Sequence, residues 1–263
     1  MMHGNLGLRN AIPLLGVVAL LAVWQGLVWF GRWEENLLPA PLGVARAIGE
    51  LIAQGKLLEH LYISLYRFLA GYLLAISIAL PLGLVLGWFT TIQKALNPVI
   101  QMLRPISPIA WFPFIVLWFG IGNAPAIVII ALAAFFPVLL SGITAIGKID
   151  KIYLKIAANF GLSRLQFFYK IAIPLAFPYL TVGLHIALGS AWVFLVAGEM
   201  VGAQSGLGYL IVDARNNIRS DMVMAGIVLI GLIGWLLDTA IRLIERSIYK
   251  RWGMEQGNGA GTP

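Results

Sequence analysis

The chain has 263 residues, of which 60% are hydrophobic and only 11% charged, and it carries a net charge of +7. Soluble domains use about 25% charged residues, so charge this scarce, with a mean hydropathy of +0.89, cannot cover a water-soluble globule. The basic balance marks the cytoplasmic loops of a membrane protein and not a nucleic-acid partner; the absence of cysteine excludes a disulfide framework, a thiolate nucleophile and a Cys-type metal site.

A helix needs about 20 apolar residues to cross a bilayer, and six stretches qualify. The first runs from about Ala11 to Phe30. It is too long for a cleavable signal and lacks an A-x-A-like site. The stretch from about Leu38 to Glu59 is less apolar. Leu42, Ala45, Ile48, Gly49 and Ile52 recur near helical spacing there, which predicts an amphipathic helix on the outer membrane surface. The second span covers about Ser64 to Phe89. Within it Gly71, Ala75, Ala79, Gly83 and Gly87 fall every four residues, a period that lets helix backbones approach closely in lipid.

The third span, about Leu96 to Phe119, is interrupted by Pro105, Pro108 and Pro113. Each proline removes a backbone donor, and such breaks are tolerated where the backbone is buried or lines a cavity. Arg104, Pro108, Trp111, Phe112 and Phe114 are the candidate pathway or gate residues. Arg104 either attracts an anion to an inner vestibule or snorkels to the interface. The fourth span is about Ala124 to Ile146, the fifth about Tyr179 to Val201, the sixth about Met222 to Ile244. Gly183, Ala187 and Ala191 repeat the small-residue spacing in the fifth. Glu199, near its outer end, is expected to accept hydrogen bonds and hold the loop from Gly202 to Asp221.

Lys and Arg set the orientation. Arg9, Lys94, Lys148, Lys151, Lys155, Arg164, Lys170, Arg242, Arg246, Lys250 and Arg251 fall on one side; Arg32, Arg46, Lys56, Arg67, Arg215 and Arg219 fall on the other. The first group is larger, and Glu34, Glu35, Glu50 and Glu59 offset the second, so both termini are expected in the cytoplasm. Residues 1–252 then form one transmembrane domain, and the Gly-rich, polar 253–263 a disordered cytoplasmic tail.

The segment from Ile149 to Pro178 is too long for an ordinary bundle connection. Lys155 to Phe160 reads as a helix, Gly161 breaks it, Ser163 can cap a second helix through Lys170, and Pro174 and Pro178 end the excursion. A helix–Gly–helix knob of this kind suits a partner's groove. The segment resembles the EAA loop of bacterial ABC-importer permeases, E-A-A-x-x-x-G, nine residues, then I-x-L-P. Gly161, Ile171 and Pro174 match at that spacing and Ala157 matches the second Ala. Ile173 replaces Leu, Lys155 stands at the Glu and Ile156 at the first Ala. The resemblance spans about Trp24 to Arg251 and is to the aliphatic-sulfonate, taurine, nitrate and bicarbonate branch. It is carried by Leu38-Pro39-Ala40-Pro41, Ile100-Gln101-Met102-Leu103-Arg104-Pro105, Trp118-Phe119-Gly120, Ala197-Gly198-Glu199-Met200 and Gly206-Leu207-Gly208-Tyr209.

The resemblance implies an all-α, six-helix type I importer permease that moves a small anion. It implies two copies of the chain in lipid, two cytoplasmic ATPases that bind ATP and Mg, and an extracytoplasmic binding protein. It places ATPase coupling on Lys155, Ala157, Ala158, Phe160, Gly161, Leu162, Ser163, Ile171 and Pro174. The chain has no G-x-x-x-x-G-K-[ST] loop of its own, and no cofactor is expected in it. Import of a neutral or cationic nutrient, such as a vitamin precursor, is the alternative substrate reading. A secondary transporter would call for several intramembrane acids, and only Glu199 and Asp238 lie in or near spans. A membrane enzyme would call for converging catalytic groups.

Overall fold

A computed structural model describes residues 5–31 and 37–251; the expected tail at 253–263 lies outside the described residues. Among the described residues every element is helical: α1 (Asn5–Gly31), α2 (Pro41–Ala53), α3 (Lys56–Trp88), α4 (Thr90–Leu103), a 3-10 turn (Pro108–Trp111), α5 (Phe112–Phe119), α6 (Asn123–Gly147), α7 (Lys151–Asn159), α8 (Arg164–Phe167), a π-helical turn (Phe168–Ala172), α9 (Ile173–Gly202), α10 (Leu207–Asn216) and α11 (Ser220–Arg251). Four rods among the described residues are long and apolar enough to cross a membrane: α3, α6, α9 with its π turn, and α11.

The small residues build the centre. Gly71, Ala75, Ala79, Gly83 and Gly87 are all buried on α3. A Cβ on Gly83 would stand 2.5 Å from the Leu139 carbonyl oxygen and 3.1 Å from Gly142 Cα on α6. With no side chains between them, α3 and α6 pack backbone to backbone, which gives van der Waals contact where lipid supplies no hydrophobic drive. On α9, Gly183, Ala187 and Ala191 are buried likewise. The outer helix α11 is tied to α9 by polar contacts: Trp192 Nε1 donates to the Ile230 carbonyl (3.1 Å), and His185 lies between Asp238 (3.1 Å) and Glu245 (2.8 Å).

Several sequence expectations change. The third span is not one rod: α4 and the 108–119 pair meet at 81°. The last helical bond runs from Arg104 N to Ile100 O, after which Pro105 and Pro108 lack the donors to continue. Pro174 and Pro178 do not end the long loop, since both lie inside α9, and the second loop helix does not stop at Lys170 but runs through the π turn into α9. Pro174 falls in the first turn of α9, beside the π turn, whereas Pro178 lies inside the helix and removes the donor that would reach the residue-174 carbonyl. On α2 a second face, Val44, Ala47 and Leu51, is buried against α3 and α11, while Leu42 and Ile52 of the expected membrane-facing stripe are exposed. Finally, Arg67 is no loop charge. It lies in α3, 2% exposed.

Candidate functional site

Three groupings stand out, and α9 connects them. At its C-terminal end Arg67 is surrounded by acceptors. Its Nε donates to Asn123 Oδ1 (2.9 Å), Nη1 to Glu199 Oε1 (2.9 Å) and to the Ser205 carbonyl (2.7 Å), and Nη2 to Ser205 Oγ (2.9 Å). Glu199 is 0% exposed and also accepts from Ser64 Oγ and from Gly208 N (each 2.9 Å). The Ser64 hydroxyl accepts from Leu207 N (2.8 Å), and His60 Nδ1 accepts from Gly206 N (3.0 Å). A buried charge is tolerable when paired and hydrogen-bonded. This cluster joins α3, the start of α6, the end of α9, the 203–206 turn and α10. The sequence reading found Glu199 but not Arg67, although Arg67 sits one step of four before Gly71 on the small-residue face.

The second grouping is an open cavity of about 630 Å³ where α4 and α5 part, with α6 and α9 forming its other walls. Arg104, Ser107, Pro108 and Trp111 line one wall; Phe136, Ser141 and Thr144 line another; Tyr179, Ile186 and Ser190 face them. Arg104 is the one charged residue among the lining residues. Of the five pathway candidates, three meet here. Phe112 packs instead on Gly202, and Phe114 is exposed beside Trp118, with ring centroids 6.0 Å apart.

At the N-terminal end of α9 the α7–α8 knob stabilises itself. Asp150 Oδ1 accepts from Ile152 N (2.9 Å), starting α7. Gly161, at φ +67, ends it, and Leu162 N reaches back to the Ala157 carbonyl (3.0 Å), a Schellman closure. Ser163 and Gln166 then form a reciprocal capping box, Gln166 N to Ser163 Oγ (3.3 Å) and Ser163 N to Gln166 Oε1 (3.0 Å). Ala157, Phe167 and Ala172 make a small buried core, with Leu162, Ile171 and Trp88 packed on it. Phe160 is 79% exposed, Pro174 lies in the first turn of α9, and the side chains of Lys155 and Ala158 lie outside the described residues.

A bundle of apolar helices with no phosphate-binding loop, a cavity between its helices and an exposed knob is the architecture of a transporter subunit. Residues 79–252 match the family model described as binding-protein-dependent transport system inner membrane component, and the chain belongs to that family. It is therefore a membrane-embedded permease component of an ABC importer, in which ATP hydrolysis falls to separate subunits. It is 35% identical to a protein described as an aliphatic sulfonates transport permease, SsuC, of Bacillus subtilis strain 168, covering 90% of this chain and 86% of that one. It is 32% identical to the nitrate import permease NrtB of Leptolyngbya laminosa, covering 92% and 88%. The fold is that of a chain in the inward-facing MetNI methionine ABC transporter, with a TM-score of 0.64 at 19% identity over 74% of this chain and 97% of that one.

Proposed function

We propose that this permease moves a small anion, an aliphatic sulfonate such as taurine first, with nitrate or bicarbonate as the second reading. The carrying observation is the cavity wall. One guanidinium, Arg104, and the hydroxyls of Ser107, Ser141, Thr144 and Ser190 stand among Leu132, Phe136, Ile186 and Phe194. That mixture suits an anionic head with a short alkyl tail, and the volume falls in the range of small-molecule sites, about 300–1,000 Å³. A neutral nutrient would leave the cation without a partner. Likeness to SsuC favours the sulfonate, and likeness to NrtB favours nitrate. A single cation with several weak hydroxyls attracts without trapping, and a transported species must leave.

In this reading the α7–α8 knob faces the cytoplasm and seats in an ATPase that binds ATP and Mg; Gly161, Leu162, Ser163, Phe160 and Ile171 shape it, Ala157 and Pro174 anchor it, and Lys155 and Ala158 belong to the same docking segment. Glu199 is structural and holds the outer turn. The chain crosses the bacterial inner membrane six times, counting α1 and the bent α4–α5 pair, with both termini inside. It works as two copies around a shared path, fed by an extracytoplasmic binding protein.

The test is uptake in vesicles reconstituted with the binding protein and ATPase. Arg104→Gln should slow alkanesulfonate uptake about tenfold, the worth of one lost charged contact, with near-normal ATP hydrolysis. Unchanged uptake removes Arg104 from the path. Competition by nitrate but not by alkanesulfonate would replace the sulfonate with the second reading. Native mass analysis showing one permease per complex would remove the dimer, and a periplasmic signal from a reporter fused at Pro263 would remove the topology.

A further inference from the structure

The core of the knob contains a residue from far outside the loop. Trp88, the last residue of α3, packs on the cluster of Ala157, Phe167 and Ala172, its ring 6.0 Å from that of Phe167 at 51°. One residue later the chain breaks. Phe89, at φ −98 and ψ 80, both ends α3 and begins α4. The α4 helix buries only Ile100, so most of its length is free of the bundle. At its far end stands Arg104 on the cavity. Fourteen residues make a rod of about 21 Å, pivoted beside the knob and carrying the cavity's cation at its tip.

The α3 helix cannot give way in the same manner. Its glycines lie against α6 as far as Gly87, where a Cβ would come 2.9 Å from the Ile143 carbonyl oxygen. The knob has two connections to the bundle: its unbroken run into α9 and the Trp88 contact. On the α3 side a displacement is taken up where the packing stops, at the Trp88–Phe89 junction, and passes into α4. We propose that Trp88 is a positioning residue that relays movement of the ATPase-docking knob through α4 to Arg104. The proposal rests on the reading of the knob as the ATPase dock.

The experiment uses the assembled importer in vesicles. Trp88→Ala should keep the ATPase at its normal ratio yet lower uptake per ATP hydrolysed about tenfold or more, in the range of ordinary coupling free energies. Trp88→Phe, which keeps a ring to meet Phe167, should stay within about twofold of the native value on the same scale. Because the chain has no cysteine, a Trp88→Cys, Phe167→Cys pair can be joined by a short thiol-to-thiol cross-linker. The unjoined pair should behave as Trp88→Ala, joining should recover uptake, and cleaving the linker should abolish it again. A residue that only stabilises the fold would not give that reversibility. The proposal is overturned if Trp88→Ala leaves uptake per ATP unchanged, if cross-linking blocks uptake, or if Trp88→Ala loses the ATPase, since Trp88 would then build the dock and not relay from it. The dock reading fails separately: Gly161→Asp would copurify the ATPase and transport normally.

Discussion

The two ends of α9 are held by opposite means. At its C-terminal end, five segments meet on one buried ion pair, and nearly every polar atom of Arg67 and Glu199 is engaged with a different element. At its N-terminal end, the knob satisfies its backbone from within, through Asp150, Gly161 and the Ser163–Gln166 box; it runs unbroken into α9, and the rest of its attachment is apolar, Trp88 included. The first arrangement makes one body of several helices. The second makes a small unit that keeps its shape while its attachment shifts. A protein that converts a push at one end into opening elsewhere has use for both.

Breaking the ion pair should have the largest effect. Arg67→Ala leaves the Glu199 carboxylate buried without its countercharge, a loss of about 3–5 kcal/mol, read as a lowered denaturation midpoint of the solubilised subunit. Glu199→Ala should cost a similar amount, and the double variant much less than the sum, because contacting residues do not behave additively. Additive losses would show that the two ends are not so different.

A smaller effect is expected at Gly161. A Cβ there meets nothing within 4 Å, so the cost of Gly161→Ala is conformational, about 1–2 kcal/mol for a left-handed backbone. It should speed amide exchange at Leu162, which closes the turn, and leave the bundle's melting unchanged. Gly161→Asn should be milder, since asparagine adopts this conformation more readily. Bundle destabilisation by either variant would mean that the knob is not self-contained.

The smallest effect belongs to α2. Hydrogen bonding from Arg219 (2.9 Å) holds the Glu50 carboxyl below its ordinary range. The contribution is present above the usual carboxylate pKa and is lost as pH falls through the lowered value. Acidification into that region should modestly raise protease access to α2, and Glu50→Gln should remove the pH dependence; exposed pairs of this kind contribute little.

How far the sequence reached depends on the kind of signal each region sends. Gly161, Ile171 and Pro174 carry a fixed local spacing, and Gly71 to Gly87 a fixed period, so the knob and the α3 face were legible. Arg67 and Glu199 are 132 positions apart. Nothing local couples them, and Arg67, although three residues inside the span expected from Ser64, counts with the outer loop charges because no nearby residue announces its partner. The bend at Arg104 was half legible: the prolines announced an interruption, but not that α4 and α5 would part and open the cavity between them.

The helical stretch from Phe168 to Gly202 is 35 residues without a gap, and both ends are committed, Ala172 in the knob core and Glu199 in the ion pair. Inserting one residue midway, near Ala187, would turn one end against the other by about 100° and lengthen the rod by about 1.5 Å. Seven would nearly restore the angle yet add about 10 Å. This stretch should therefore drift by substitution alone across relatives, its length held constant.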